Sequence, residues 1–431
     1  MQAANSWRIG RPGPEWGRPI RIVSAVLALS MLALMGCGSA TDADDNAAAI
    51  KLAPPQCANA TARALGEVAE RVYREIAGGR IALPAAERVA SAPAVIAAVE
   101  AGNPRATRTA IAPLLRGQLV RVRVTVGRHT LAEYGTADGI APVSTPLKNA
   151  AGLQIGTITA SEEGVYGYAA TVHAITEAQV FARVGTGALA GSGSPAPAVL
   201  PDRGEVSYAG TRYAVYSFRG IGFPRVALRT FVLAPVPLAS ACAPTPMETA
   251  TDAIGATAAR IYKQEQSGPA TRAVVRDFEH SRSFQEAVAT DNPAATRAAI
   301  VAFFETTLHV VRVRATLGEK LVADVGGPHV LAPIRGDVRN ARGRVVGHFL
   351  LSVQDDLGYV ILTHRFAGAQ VFLGENDEQI VGNVSPGPTS VPKRGTVVFD
   401  GVRYGAYSFT AEAFPKGQLR VSLLIPPVPG T

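Results

Sequence analysis

The sequence lacks the motifs on which most enzyme active sites are built. Its seven histidines show no His-x-x-x-His spacing with an intervening glutamate, and no pair of cysteines lies near them to complete a zinc site. No G-x-S-x-G nucleophile elbow is present. Gly185–Ala190 matches a loose dinucleotide fingerprint, but the Gly/Ser/Pro run at 191–197 cannot continue as the required helix. The sequence therefore predicts a protein that is not an enzyme and has no metal and no cofactor.

Charged and aromatic residues are also scarce, at 18% and 6% of the chain. The net charge is +8, and four arginines and one glutamate in the first 36 residues account for +3 of it. The remaining positive charge is spread along the chain without a cluster. Nucleic-acid-binding surfaces combine a clustered basic stripe with interleaved aromatic side chains. We therefore expect no nucleic-acid partner.

An uncharged apolar run, Ile22 to Met35, follows the arginine-bearing N-terminus and ends at Leu34-Met35-Gly36-Cys37. It is shorter than the roughly 20 residues that span a bilayer, and this order of charge, apolar run and small-residue site is typical of a secretory signal. The site resembles the bacterial lipoprotein lipobox, in which the cysteine receives a diacylglyceryl group and becomes the new N-terminus. The resemblance implies a signal peptide at 1–36 and a lipid anchor at Cys37, on the extracytoplasmic face of the cell membrane. An ordinary cleaved signal or an uncleaved anchor is the alternative.

Residues 57–237 recur as residues 242–431. At a constant offset of 191, Val120–Arg123 falls on Val311–Arg314, and Tyr213–Phe218 falls on Tyr404–Phe409. This fixed register indicates a duplicated domain rather than a short-period solenoid, because each copy is long enough to bury its own core. The small, polar, proline-containing segment 37–56 is predicted to be a disordered tether before the first copy.

Two further cysteines, Cys57 and Cys242, open the two copies at nearly equivalent places. An even pair in an oxidising compartment favours a disulfide that joins the two domain entrances. Closing so long a loop would contribute roughly 4–5 kcal/mol in the chain-entropy model. Two free thiols are the alternative, because the sequence does not fix the distance between their Cα atoms.

Each copy changes from a helical to an extended pattern at the same point. Apolar residues recur every three or four positions from Ala62 to Gly78, a second short helix follows, and Asn103-Pro104 indicates the N-cap of a third. Beyond it the period falls to two, and a hairpin is predicted in copy two from 347 to 366, with an acidic turn around Asp355-Asp356. The sum is three helices and about six antiparallel strands, an α+β fold with the helices on one face of the sheet.

The order of these elements, with two weak motifs, resembles the extracytoplasmic Cache (PDC) family of PAS-like sensor domains. The motifs are the strand Gly343–His348 and the closing unit that contains Gly401, Tyr404, Tyr407, Phe409 and Leu419–Leu424. The resemblance covers nearly all of each copy and implies two tandem PAS-like domains that bind small ligands over the antiparallel sheet. The sequence departs from the family in that it carries no recognisable ligand-contact signature of the amino-acid-binding subgroup. No signalling segment follows in the printed sequence, so we expect ligand binding or presentation, or signalling through a partner.

Several polar residues occur at matching positions of both copies. They are the pairs His173/His364, Gln179/Gln370, Glu133/Asp324, Tyr168/Tyr359, Tyr213/Tyr404, Tyr216/Tyr407 and Arg229/Arg420. One interpretation is amphipathic cover at sheet edges. The sharper hypothesis is a ligand site in copy two, with aromatic walls and one carboxylate suited to a small cationic or amine ligand. Its residues would be Asp324, Tyr359, His364, Tyr404 and Tyr407.

Three functions from different classes remain open. The first is a lipoprotein that binds or senses a small molecule, the second is a structural envelope protein that docks a protein partner, and the third is an unrecognised hydrolase. A pocket with convergent polar groups would favour the first, and a filled pocket beside an exposed apolar patch would favour the second. The more polar of the two long loops, 374–393, makes copy two the better candidate for binding.

The lipid anchor can be tested directly. We expect the full chain, expressed in a bacterium grown with an alkyne-tagged fatty acid, to incorporate the label, and the Cys37→Ser variant to incorporate none, because the thiol is the acceptor atom. In-gel fluorescence after click labelling is the measurement. Equal labelling of both chains, or none in the unaltered one, would contradict the lipobox assignment.

Overall fold

The computed structural model describes residues 52–115, 119–135, 138–306, 310–328, 330–375 and 378–427. The predicted signal peptide and Cys37 lie outside the described residues. The end of the predicted tether, 52–56, belongs to the fold: Leu52 forms a β-bridge with Leu238, and the first helix begins at Pro55. Proline suits this position because its missing N–H would have no partner in the first turn.

Copy one contains two groups of elements. Its helices are α1 (Pro55–Ala77), α2 (Ala82–Ala90), α3 (Pro93–Glu100), α4 (Pro104–Ile111) and α5 (Val165–Thr176). Its strands are β1 (Arg121–Val126), β2 (His129–Gly135), β3 (Gly139–Ile140), β4 (Val143–Lys148), β5 (Gln154–Ser161), β6 (Glu163–Gly164), β7 (Gln179–Val184), β8 (Ala190–Gly191), β9 (Arg203–Tyr208), β10 (Thr211–Gly222) and β11 (Val226–Pro235).

Copy two repeats this order. Its helices are α6 (Pro246–Ser267), α7 (Pro269–His280), α8 (Arg282–Ala289), α9 (Pro293–Thr306) and α10 (Asp356–Ala367). Its strands are β12 (Arg312–Leu317), β13 (Lys320–Gly326), β14 (Val330–Leu331), β15 (Ile334–Arg339), β16 (Val345–Ser352), β17 (Gln354–Asp355), β18 (Gln370–Glu375), β19 (Glu378–Gly382), β20 (Arg394–Phe399), β21 (Val402–Glu412) and β22 (Gln418–Ile425).

The α+β class with helices on antiparallel sheet is confirmed, but the strands of each copy divide between a peripheral and a central sheet, and in copy two β14 and β17 form a further two-stranded sheet. The peripheral sheet has the order β2-β1-β5-β4 in copy one and β13-β12-β16-β15 in copy two. The central sheet contains β10-β11-β7 in copy one and β19-β18-β22-β21-β20 in copy two. The short helices cover the peripheral sheets, and the long helices α1 and α6 cover the central sheets.

The predicted N-caps are confirmed, whereas the predicted hairpin is wrong. The side chain of Asn103 accepts hydrogen bonds from the first free amides of α4. In copy two, however, residues 356–367 form α10 rather than the second strand of a hairpin. The side chain of Asp355 accepts a 2.6 Å hydrogen bond from the amide of Gly358, so the acidic pair begins a helix instead of closing a turn. The equivalent segment of copy one is α5.

One hydrophobic core spans both copies, beside smaller cores that lie within each copy. It joins the apolar faces of α1 and α6, including Leu65, Val68 and Ile254, to both central sheets and to α5 and α10. The contacts between the copies are reciprocal: Arg71 of α1 donates to the carbonyl of Ala367 at the end of α10, and Arg260 of α6 pairs with Glu177 at the end of α5. The two copies are therefore halves of one packed unit.

A disulfide closes the entrance to this unit. Cys57 in the first turn of α1 is bonded to Cys242, which lies just before α6, across 185 residues of sequence. The backbone amide of Ala53 also donates to the carbonyl of Pro237, so the starts of both copies are held together by covalent and hydrogen bonds. Within the described ranges, no single helix is long and apolar enough to cross a membrane, although one pair bent by 61°, Pro55–Ala90 with Pro93–Glu100, meets those criteria by length and composition only.

Two glycines allow the long helices to approach their sheets. A Cβ atom on Gly255 would lie 2.2 Å from Cγ of Tyr407, and one on Gly66 would lie 2.2 Å from Cδ1 of Tyr216. Atoms cannot share that space, so a larger residue would push the helix away from the central sheet.

We expect Gly255→Ala to lower the free energy of unfolding by about 1–3 kcal/mol, because overpacking against Tyr407 outweighs the gain in helix propensity. Urea unfolding followed by circular dichroism is the measurement. Gly327→Ala is the control, because its φ is not positive and a Cβ atom there would have nothing within 4 Å. A Gly255→Ala chain as stable as the unaltered protein would refute the close packing.

Candidate functional site

The five residues predicted to bind a ligand are not brought together. Asp324 lies on the peripheral sheet of copy two, Tyr359 and His364 lie on α10, and Tyr404 and Tyr407 lie on β21 of the central sheet. Each of them has a partner within the protein. The structure therefore does not form the amine site that the sequence predicts from these residues.

Asp324 belongs to an ion pair between the neighbouring strands β12 and β13 of the peripheral sheet. Its carboxylate accepts hydrogen bonds from Nε and Nη2 of Arg312 at 2.8 and 2.9 Å. These bonds raise the pKa of Arg312. The guanidinium lies 4.9 Å from the ring centre of Phe414, in the loop between β21 and β22. Copy one contains the same cluster, formed by Glu133, Arg121 and Phe223.

Tyr359 and His364 hold α10 in place. Tyr359 is fully buried, its hydroxyl donates to the carbonyl of Ala258 in α6 at 3.0 Å, and burial raises its pKa. Nδ1 of His364 lies 2.8 Å from the carbonyl oxygen of Ala369, just beyond the end of the helix. Structural roles in both copies account for the retention of these residues.

Tyr404 and Tyr407 point to opposite faces of the central sheet, because side chains alternate along a strand and these two are three residues apart. The ring of Tyr407 packs against Gly255 of α6. Tyr404 packs on the other face, with its ring centre 6.4 Å from that of Phe399. They cannot line one cavity together.

A different surface of copy two carries a candidate site. It is the face of the central sheet that points away from α6, which we call the outer face. On β22, Leu419, Val421 and Leu423 enter the shared core, so Arg420 and Ser422 point to the outer face. The loop 383–393 crosses this face, and Val391 packs there against Phe372, Ala406 and Leu424.

Hydrogen bonds hold this loop at both ends. Oδ1 of Asn383 accepts from the amide of Val371 at 2.6 Å. Oγ of Ser408 donates to the carbonyl of Pro392 at 3.1 Å, and the guanidinium of Arg420 donates to the carbonyl of Val391. The loop is therefore held against the sheet at both of its ends.

Two cavities adjoin on the outer face, and Arg420 and Gly374 line both of them. The loop cavity has a volume of 680 Å³ and lies beside the covering loop, with Phe372, Glu378 and Ser422 in its wall. The strand cavity has a volume of 730 Å³ and lies past the start of β20, with Lys393, Arg394, Thr410 and Gln418 in its wall.

The strand cavity is electropositive. Three cationic side chains line it, and none of its described lining residues is an aspartate or glutamate. Arg394 is partly neutralised by an ion pair with Asp252 of α6, although burial raises the pKa of that carboxyl group. Lys393 and Arg420 form no ion pair with any residue that the structure describes. Such a wall suits an anionic group.

Sequence reasoning recognised Arg420 only as a retained residue and overlooked Lys393. The signal that could have found it is a difference between the copies, since the position that matches Lys393 is Asp202. Across the described ranges, no group of three or more His, Cys, Asp or Glu side chains is placed to hold a metal ion.

Comparisons with known proteins establish no family for the chain. No family model matches it, and no curated protein matches it. Two crystal structures of the Vibrio cholerae LuxQ periplasmic domain align at 11% and 10% identity with TM-scores of 0.27 and 0.28, each covering 40% of this chain and 98% and 95% of the LuxQ chains. An extracellular ligand binding receptor from Desulfohalobium retbaense aligns at 10% identity with a TM-score of 0.26, over 52% of this chain and 47% of the receptor. These matched proteins are periplasmic or extracellular, but TM-scores this low support no conclusion about the present chain.

One further ionisable group is buried on α6, apart from the cavities. Glu265 of α6 is 7% exposed, and burial raises its pKa to about 8. An unfolded glutamate has a pKa of about 4.3. Between these two values the unfolded chain releases a proton that the folded chain retains, so stability is lost as the pH rises through this window.

We therefore expect the protein to lose roughly 2–4 kcal/mol of stability between pH 5 and pH 8 through this group. Glu265→Gln should remove that loss, because the amide carries no proton to release. Urea unfolding at both pH values is the measurement, and Glu100→Gln, at an exposed position of copy one, is the control. Identical pH profiles for Glu265→Gln and the unaltered chain would show that Glu265 is ionised in the fold.

Proposed function

We propose that the chain is an extracytoplasmic lipoprotein that binds a small molecule on the outer face of copy two, without transforming it. In this proposal, diacylglyceryl-Cys37 anchors the protein in the lipid bilayer, and copy one serves mainly as the scaffold on which copy two packs. Transmission of the binding event would require an envelope protein partner.

The extracytoplasmic location is supported by two independent features. The N-terminal segment has the order of a secretory signal, and the fold contains a disulfide between Cys57 and Cys242. Disulfides persist in oxidising compartments outside the cytoplasm and are rare inside it.

The observation that carries the binding function is the pair of cavities beside Arg420. Their volumes of 680 and 730 Å³ fall in the range of small-molecule sites. Apolar walls such as Phe372 occur together with a few converging polar groups, among them Arg420 and Ser422. A ligand there would lie over an antiparallel sheet, as the resemblance to Cache domains implies.

The polar groups of the strand cavity are suited to holding a ligand rather than to chemistry. Lys393, Arg420, Thr410 and Gln418 donate hydrogen bonds and supply positive charge. Nucleophilic catalysis needs a hydroxyl or thiol beside a base that is itself oriented by a third group. We see no such arrangement among the lining residues, and the proposal therefore contains no reaction.

Native mass spectrometry of the full chain, purified from its own membranes in mild detergent, tests the proposal. We expect a discrete mass excess that is lost when the protein is denatured. Thr410→Trp should abolish the excess by filling the strand cavity, whereas Arg219→Trp, which places the same side chain at the matching position of copy one, should leave it intact.

A chain that carries no small molecule but still captures one envelope protein would favour the docking function over the binding function. A mass excess that survives Thr410→Trp and disappears in Arg219→Trp would move the site to copy one. The melting temperature of each variant separates loss of ligand from loss of fold.

A further inference from the structure

The two copies differ at one charged position beside the retained arginine. In copy one, Oδ1 of Asp202 accepts a hydrogen bond from Oγ of Ser217 at 2.9 Å and forms an ion pair with Arg229. At the offset of 191, Ser217 corresponds to Ser408, and Arg229 corresponds to Arg420. Asp202 corresponds to Lys393, so copy two keeps the two donors and replaces their acceptor with a cation.

In copy two, Arg420 and Ser408 donate to main-chain carbonyls instead of to a carboxylate. Arg420 donates to the carbonyl of Val391, and its Nη2 lies 3.5 Å from Oγ of Ser408. Oγ of Ser408 donates to the carbonyl of Pro392. A guanidinium group has five N–H donors in a fork that matches a carboxylate, so one carbonyl leaves most of its capacity unused.

Space opens around Arg420 at the same time. On the outer face of copy one, Arg229 is flanked across the sheet by Arg183 on one side and Arg219 on the other. Arg420 is flanked at the same register by Gly374 and Thr410. Two long side chains are therefore replaced by short ones where the strand cavity lies.

Both changes favour the same kind of ligand. Because lysine replaces aspartate at this position of copy two, Arg420 has no carboxylate partner there, and Lys393 adds a cation to the wall that Arg394 and Arg420 also line. The acid nearest to this wall in the loop cavity is Glu378, which does not line the strand cavity. A bound anion would neutralise charge that no described residue of copy two neutralises.

From this comparison we infer that the strand cavity binds the carboxylate group of a small anionic ligand, held by Arg420, Ser408 and Lys393 in the place that Asp202 occupies in copy one. This inference rests on the proposed function and specifies the chemistry of its ligand. In copy one, the carboxylate of Asp202 fills the equivalent position and takes the place of a ligand.

Titration calorimetry with succinate, on the full chain in detergent, tests this inference. Lys393→Asp should weaken succinate binding at least tenfold, because it restores the ion pair of copy one and fills the site from within. The variant should fold, since copy one carries aspartate at the matching position. Arg420→Gln should weaken binding to a similar degree by removing the guanidinium fork.

Lys148→Asp is the matched control. It makes the same change in net charge at an exposed position of copy one, and we expect it to bind succinate as the unaltered chain does. Inorganic phosphate is the comparison ligand. Phosphate binding without succinate binding, or equal succinate binding by Lys393→Asp and the unaltered chain, would overturn the inference.

Failure of the inference can be told from failure of the proposed function. If succinate does not bind but native mass spectrometry still finds a molecule that Thr410→Trp removes, the carboxylate assignment is wrong and the binding function stands. If neither is found, both are wrong. If Lys393→Asp also displaces the molecule that is carried from the cell, the inference is supported by a second readout.

Discussion

The fold depends on the packing of the two long helices, α1 and α6, against each other and against both central sheets. The interface is apolar along its length and continuous with the core of each copy. Glycines at matching positions let Tyr216 and Tyr407 contact the helices, and arginines at matching positions bind the ends of the other copy's helices. Because each copy buries its long helix partly against the other, neither copy has a complete core alone. The disulfide at the entrance limits how far the two halves can separate in the unfolded chain.

Much of this architecture was accessible from the sequence, since it follows from local patterns. The helical period predicted α1, the Asn103-Pro104 pair predicted the start of α4, and the fall of the period to two predicted the strands that follow. Two features were not accessible for a physical reason. The segment that forms α10 has apolar side chains on its exposed side as well as on its buried side, since Leu357 and Ile361 are exposed, so it has no amphipathic period to detect. The division of the strands of each copy among separate sheets depends on pairing over long distances, which no local pattern records.

The candidate site shows a second limit, in how retained residues are interpreted. The polar residues shared by the two copies have structural roles in each: Tyr359 bonds α10 to α6, and Asp324 binds Arg312, whose guanidinium lies over Phe414. Duplication preserves such residues because each copy needs them for packing. A ligand-binding residue is not needed in both copies. A residue that is the same in both copies is therefore better explained by a structural role.

Disagreement at matched positions is then the more informative signal. Asp202 and Lys393 occupy equivalent places beside equivalent arginines, and their opposite charges cannot both serve the same packing role. In copy one, the carboxylate, the serine hydroxyl and the guanidinium satisfy one another. In copy two, the same serine and arginine face a cation across a cavity. Lys393 and Arg420 are both exposed, so water and salt screen their repulsion and the pair can remain without a carboxylate at little cost in stability. The duplicated fold therefore carries two versions of the same position: copy one pairs the arginine with its own aspartate, while copy two leaves the arginine without a carboxylate beside a cavity.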